Sequence, residues 1–337
     1  MTKPTVSVVI PMYNVEQFID QSLNSVLEQT FTDFEVICVD DGSSDHTFFK
    51  VNAYKDERIR IVMQDNRGLA GARNTGINAA RGKYVAFLDA DDYWAPNKLE
   101  THVEHLENNC HLGISFSPSW FVNEQGEEMG IGQFPKLTHI TAKDVFCRNP
   151  IGNGSAPVVR RSMLMEMATM VKCPAGKRMA YFNESLRQSE DVEFWLRVAL
   201  TKKWLIEGVA EPLTFYRVNS SGLSANLDNQ FKSWQHAVQM NSAGNETFFL
   251  TYYSLAKAYQ LRYLARRAIS AGNAKKAMNL ALDAIRCNAK ILVEEPGRTS
   301  VTLACALLAK LPRKLYKKLE HGVMSMLGKA HLSRPLF

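Results

Sequence analysis

The chain has 337 residues, 46% hydrophobic and 22% charged, the balance of a folded protein with room for one large domain and an appendage. Its net charge of +6 is modest, and no apolar stretch is long enough to span a bilayer, which argues against an integral membrane protein. Six scattered cysteines, with no Cys-x-x-Cys pair and no Cys/His cluster at zinc spacing, argue against a zinc domain and a disulfide scaffold. The N-terminus enters a strand-like run at once, without a charged-then-apolar leader, so the expected compartment is the cytoplasm.

Residues 6–10 form an uninterrupted β-branched run, and residues 15–29 place Phe18, Ile19, Leu23, Val26 and Leu27 at helical spacing. The pair of patterns repeats as strand over 34–39, helix over 45–54, strand over 58–63, helix over 69–80 and strand over 84–88. Such alternation predicts an α/β fold with a Rossmann-like, mostly parallel sheet and helices on both faces. A helix over 97–107 and a strand over 112–117 follow, then polar loops around 123–132. Residues 189–201 predict a helix with Val192, Trp195, Leu196 and Ala199 on one face, and short strands are expected at 204–206 and 213–216. Beyond Asn226 the pattern is helical only, including a paired-helix segment over 256–289 broken at Gly272-Asn273. The expected organisation is an α/β domain over 1–225 and a helical region over 226–337.

Asp89-Ala90-Asp91 directly follows the apolar run 84–88. Two carboxylates therefore emerge on one side at the carboxyl end of a strand, where an open α/β sheet binds its ligand. Side-by-side carboxylates repel, and a hard divalent cation that shares its shell with phosphate oxygens relieves the repulsion. In isolation the triplet reads equally as turn chemistry or a helix cap. Three more segments stand at strand ends or in the loops after them: Pro11-Met12-Tyr13-Asn14, Asp40-Asp41-Gly42-Ser43-Ser44-Asp45 and Asn66-Arg67-Gly68-Leu69-Ala70-Gly71-Ala72-Arg73-Asn74. In this order and strand context, over roughly residues 5–220, the chain resembles the family 2 glycosyltransferases, inverting enzymes of the GT-A fold that use nucleotide sugars.

The resemblance implies a nucleotide pocket of Pro11, Tyr13 and Asp41, with the Asp41 carboxylate accepting from a uracil imide and the Tyr13 ring against the base. Without it, Tyr13 reads as a core aromatic and Asp41 as the cap of the helix after Gly42. The same correspondence puts Arg73 near the base or diphosphate, Asp91 on a divalent metal (Mn²⁺ or Mg²⁺), and Asp89 on the ribose or on the metal through water. Asp92 is expected only to cap the helix near Pro96. Glu190-Asp191 opens a helix, which alone would be ordinary capping; the resemblance makes Asp191 the general base, with Glu190 as acceptor contact or substitute. Loop 149–155 is a donor-sugar or acceptor wall on one reading and a plain Gly/Pro turn on the other. In the segment 216–224, Asn219 stands where the family often carries His, which puts a third metal ligand in doubt and leaves Arg217 to neutralise phosphate.

The implied activity is transfer of a single sugar from a nucleotide-sugar donor, a UDP-sugar by preference, to a glycan or lipid-linked acceptor in cell-surface polysaccharide synthesis. Residues 230–234 are only a stretched echo of the motif of polymerising members. A nucleotidyltransferase and an inactive scaffold are the alternatives; the first loop lacks the glycine-rich, basic character of a triphosphate cradle. From Arg298 onward Lys310, Arg313, Lys314, Lys317, Lys318, Lys329 and Arg334 face one acid, Glu320, while leucines recur four apart over 300–329. That tail reads either as a helix docked on the protein or as a peripheral contact with anionic lipid on the inner face of the cell membrane, and not as a nucleic-acid arm.

Overall fold

The computed structural model describes residues 3–173, 176–219 and 226–309. The chain divides into two compact units, one of Met1–Val145, Asn149–Asn219 and His236–Asn241, the other of Phe146–Arg148, Ser220–Gln235 and Ser242–Phe337.

In the first unit strands and helices alternate: β1 (Val6–Met12), α1 (Ile19–Leu27), β2 (Phe34–Asp40), α2 (Thr47–Ala53), β3 (Ile59–Met63), α3 (Gly68–Ala79) and β4 (Tyr84–Phe87). Then come β5 (Tyr93–Trp94), α4 (Lys98–Glu107), β6 (Leu112–Phe116), β7 (Ser119–Val122), β8 (Glu128–Gln133) and α5 (Ala142–Arg148). The unit continues with β9 (Val158–Arg160), α6 (Arg161–Met167), β10 (Thr169–Cys173), β11 (Gly176–Ala180), α7 (Glu190–Thr201), β12 (Leu205–Gly208) and β13 (Thr214–Arg217).

The central sheet has seven strands in the order β12-β6-β9-β4-β1-β2-β3. Its pairs are parallel except for β9, which runs against both β4 and β6. Every residue of β1 and β2 is buried, as a strand covered on both faces requires, which explains their unbroken apolar sequence. Met12 lies in register with Asp40, and Val9 with Phe87, so the carboxyl ends of β1, β2 and β4 share one rim. The chain runs from β1 outward to β3 on one side and returns as β4 on the other. That reversal is the switch point at which α/β sheets bind ligands.

Two departures from expectation have local causes. Helix α1 starts at Ile19, not near residue 15: Asn14 takes a left-handed φ of 52°, and the backbone N–H groups of Val15 and Glu16 donate to Thr47 Oγ1 at 2.9 Å and Asp45 Oδ2 at 3.1 Å. The polar stretch read as loops forms the hairpin β7–β8 at one edge of a four-stranded sheet. β8 is largely exposed, so it carries none of the alternation that marks a half-buried strand.

The second unit is helical: α8 (Leu227–Ser242, whose last turns belong to the first unit), α9 (Glu246–Ser270), α10 (Ala274–Cys287), α11 (Ile291–Glu294) and α12 (Pro296–Leu308). Ala268 and Ile269 of α9 pack with Ala277 of α10 and Ala306 of α12. Small side chains allow this close approach. Between α9 and α10, Gly272 at φ +73° lets its own N–H reach Ile269 O and that of Asn273 reach Ala268 O, the double closure of a Schellman turn. Asn273 then caps α10 by accepting from Lys276 N at 3.0 Å. Among the described residues no helix is long and apolar enough to cross a membrane. The tail beyond Ala309 lies outside the described residues, as do residues 220–225 of the segment after β13.

Candidate active site

The loops after β1 and β2 clasp each other. Ser43 Oγ accepts from Asn14 N at 3.2 Å, and Asn14 Oδ1 accepts from Ser44 N at 2.8 Å. Pro11 is a buried residue of β1 paired with Val39, and it hands the chain to Tyr13. At 52% exposure Tyr13 is no core aromatic but an open ring at the rim. Asp41 is buried beside it and does not cap the helix after Gly42. Its Oδ1 accepts from Gln64 Nε2 at 2.5 Å and Arg67 N at 2.8 Å, and its Oδ2 from Gly68 N at 2.8 Å, closing the amino end of α3. A carboxylate offers about four lone-pair positions. One remains, which is the number a single imide N–H needs.

The acidic residues gather around Arg73. This side chain on α3 is only 2% exposed, so in this conformation it does not stand open to a nucleotide. Its Nη2 donates to Asp89 Oδ1 at 2.7 Å and its Nη1 to Glu190 Oε1 at 2.7 Å, joining the β4 end to the start of α7. Burial works against its charge, but Asp89, Glu190 and Asp191 together raise its pKa. Burial also pushes the Glu190 carboxyl up to about 7, with Arg73 opposing and Asp191 and Asp89 adding to the rise. Asp191 is raised by burial too, again with Arg73 opposing. Among the described residues its carboxylate accepts one hydrogen bond, from Val192 N at 2.8 Å. Helix α7 is aimed by Asn74, whose Oδ1 accepts from Tyr181 N and Phe182 N, each at 2.9 Å, fixing the approach to Glu190.

Asp91 is pushed up to about 6, first by burial and then by Asp89. Asn219 Nδ2 donates to its Oδ2 at 2.8 Å, while Asn219 Oδ1 is buried with no partner. Asp92 is not a helix cap. It is fully buried, accepting from Ser155 Oγ at 2.6 Å and from Arg217 N at 2.8 Å. Arg217 is not a phosphate ligand either: it donates to the carbonyls of Asp91, Asn123 and Glu124 and to Gln21 Oε1. Both residues hold the acidic turn in shape, and the sequence had shown only their charge.

Loop 149–155 does reach the acids. A Cβ on Gly154 would stand 2.1 Å from Arg73 Nη2 and 2.7 Å from Asp89 Oδ2, so any side chain there would have to displace the Arg73–Asp89 pair. Ser155, a member of that loop to which the sequence assigns no role of its own, accepts from Asp89 N at 3.0 Å and thereby ties the loop to β4. The available signal was its place beside glycines in a loop already under suspicion.

Among the described residues no three His, Cys, Asp or Glu side chains stand close enough to hold a cation by themselves. The donor set nonetheless fits a hard divalent ion completed from outside. Asp89 and Asp91 are neighbouring, mutually repelling carboxylates, and the unpartnered Asn219 oxygen lies next to Asp91. Such an ion takes its remaining ligands from phosphate and water.

A mainly parallel sheet with an acid-rich switch point is the GT-A architecture of glycosyltransferases. Solved structures agree at the level of fold. The Staphylococcus aureus TarS fragment 1–349 in complex with UDP-GlcNAc matches with a TM-score of 0.54 at 19% identity, over 91% of this chain and 81% of that one. The Pyrobaculum calidifontis mannosyltransferase PcManGT in complex with GDP-Man and Mn²⁺ matches with a TM-score of 0.54 at 20% identity, over 92% and 86%. The profile of glycosyl transferase family 2 covers residues 7–167. The Escherichia coli UDP-Glc:alpha-D-GlcNAc-diphosphoundecaprenol beta-1,3-glucosyltransferase WfgD is 45% identical over 228 residues, 67% of this chain and 82% of that protein. Another relative, 46% identical, is spanned over only 31% of its length. The chain belongs to glycosyltransferase family 2.

Proposed function

We propose that this glycosyltransferase moves one sugar, with inversion, from a UDP-sugar to a lipid-linked or glycan acceptor in cell-surface polysaccharide synthesis. The observation that carries the reading is the Arg73 bracket, which sets Asp89 on one side of a single guanidinium and Glu190 on the other. Donor-side and acceptor-side carboxylates are thereby held in one site. Tyr13 stacks on the base, Asp41 accepts from the imide with its remaining lone pair, and Pro11 shapes the turn between them. Asp89 and Asp91 hold the Mn²⁺ or Mg²⁺; when bound, the ion neutralises the diphosphate as a Lewis acid.

Asp191 takes the proton from the acceptor hydroxyl as its oxygen attacks the anomeric carbon. The bond from that carbon to the phosphate oxygen breaks, and the nucleoside diphosphate leaves with the electron pair. Of the two acids opening α7, Asp191 is the freer, because Glu190 is committed to Arg73. Glu190, held by Arg73, stands beside Asp191 as acceptor contact or substitute base. The UDP preference and a lipid diphosphate acceptor draw support from WfgD, whose name carries both. A cytoplasmic location on the inner membrane face fits such an acceptor. The test is transfer from UDP-, GDP- and dTDP-sugars to a short-chain lipid-diphosphate acceptor, with and without EDTA. Turnover with EDTA equal to that with Mn²⁺ would remove the metal from this reading, and turnover only with a GDP- or dTDP-sugar would remove the uracil pocket.

A further inference from the structure

The second unit contains a crowding of cations that the chemistry of the first does not use. Helix α9 carries Tyr259, Arg262 and Arg266 along one face. Arg148, which belongs to this unit, and Arg262 both pair with Glu295, and Arg298 Nη1 stands 3.5 Å from the same carboxylate. The Arg148 and Arg262 guanidinium carbons lie 5.2 and 5.0 Å from the Tyr259 ring centre. Arg262 Nη1 also donates to Thr299 Oγ1 at 2.7 Å.

The charges do not balance. Glu294 accepts from the Tyr259 hydroxyl at 2.8 Å and faces Lys290 at 3.6 Å, so it is already matched. Among the described residues that leaves Arg148, Arg262, Arg266 and Arg298 against Glu295. Three guanidinium forks saturate the few lone pairs of one carboxylate. Arg262 is 2% exposed, and its Nε is buried with no acceptor. Arg266 is exposed, and among the described residues its side chain has no ion pair. Burial, followed by repulsion among these arginines, brings Arg148 down to about 10 and Arg262 to about 9.

We propose that Arg148, Arg262, Arg266 and Arg298 form a binding site for a phosphate oxyanion, with Glu295 as the internal counter-ion that partly occupies it in the free protein. Guanidinium forks match phosphate geometry in pairs, and an incoming dianion supplies the acceptors that one carboxylate lacks. Such an oxyanion comes from a lipid-linked diphosphate or from free phosphate. The lipid source rests on the acceptor class proposed above; the oxyanion site does not.

The experiment is thermal-shift and calorimetric titration of the full chain in EDTA, with inorganic diphosphate in one arm and geranylgeranyl diphosphate in neutral micelles in the other. UDP binding with Mn²⁺ is measured in parallel. Arg266→Gln with Arg298→Gln, both at accessible positions, should weaken diphosphate binding about tenfold or more while leaving UDP binding unchanged. Glu295→Gln should bind diphosphate more tightly than wild type and regain lost thermal stability when it is added. Stronger binding of the geranylgeranyl form assigns the site to a lipid-linked diphosphate, and equal binding assigns it to free phosphate. The proposal is overturned if wild type shows no diphosphate-dependent shift, or if the shift survives the double arginine substitution. Loss of UDP binding in wild type with diphosphate binding intact would instead count against the proposed function alone.

Discussion

Two regions of the molecule are electrical opposites built on one plan. In the first unit Asp89, Glu190 and Asp191 crowd the guanidinium of Arg73; in the second, Arg148, Arg262 and Arg298 crowd the carboxylate of Glu295, with Arg266 close enough to repel them. Each region keeps one counter-charge of its own and, among the described residues, carries an excess of the opposite sign. The difference lies in support. Around Arg73 the loops are tied down by Ser155, Asn74 and Asp92, each buried and hydrogen-bonded, as a site that must orient reacting atoms requires. Around Glu295 the groups are helix-borne side chains, Tyr259 and Thr299 included, which suits holding an anion better than transforming it.

The largest expected effect breaks the comparison at its chemistry. Asp191→Asn keeps the shape of the side chain and removes its proton affinity, so turnover should fall by roughly two to four orders of magnitude. UDP affinity, measured by calorimetry with Mn²⁺, should stay within about twofold of wild type. Near-wild-type turnover would shift the base to Glu190. No substitution in the arginine cluster should reproduce this loss of turnover at saturating acceptor.

Arg73 gives the next largest effect, and it is structural. Arg73→Met leaves Asp89 and Glu190 without their shared donor in a buried setting, which costs about 3–5 kcal/mol when one partner of such a pair is removed. Chemical denaturation should show the loss. Arg73→Lys should recover little of it, because a single ammonium cannot span both carboxylates. A stable Arg73→Met protein would mean that the acids tolerate one another without a cation, and the bracket would lose its meaning.

Asp91 sharpens the contrast by moving stability the other way. Its carboxyl is raised to about 6 by burial and Asp89, against about 3.9 in the unfolded chain. The folded state therefore binds the proton more tightly than the unfolded one. Its ionisation costs nothing below pH ~4, costs progressively more as pH climbs toward 6, and carries its full penalty above that. Asp91→Asn should stabilise the metal-free protein by roughly 1–3 kcal/mol at pH 7.5, with the gain vanishing at pH ~4. The same variant should be inactive and should lose any stabilisation by Mn²⁺. Equal thermal midpoints for the variant and wild type across that pH range would show that Asp91 carries no such penalty.

Much of the first unit was legible because its physics is local. Buried parallel strands must be continuously apolar, as β1 and β2 are, and acids placed at strand ends, such as Asp89 and Asp91, are marked by the strand before them. The edge hairpin β7–β8 was illegible for the converse reason: β8 buries too little to show a period. The fate of Arg73, Asp92 and Arg217 was hidden because charge in a sequence does not say whether its partner is solvent, a carbonyl or a distant carboxylate. Arg73 and Glu190 are 117 residues apart. The arginine cluster is harder still, since Arg148 meets Glu295 from a helix that begins in the first unit, and neither side chain sits in a motif.

The smallest expected effect asks whether nucleotide binding is only charge neutralisation. Tyr13 is uncharged and exposed at the rim of β1, so its contribution would come from contact with a base and should be indifferent to metal and salt. Stacking of a base on an aromatic ring is worth about 1–3 kcal/mol. Tyr13→Ala should therefore weaken UDP roughly tenfold, with Tyr13→Phe close to wild type. Uridine, which lacks the diphosphate, should lose affinity by the same factor, and raising the salt should leave that factor unchanged, whereas the metal-dependent share of UDP binding should shrink. If Tyr13→Ala weakens UDP but not uridine, the ring serves the diphosphate end, and the stacking role belongs to another side chain.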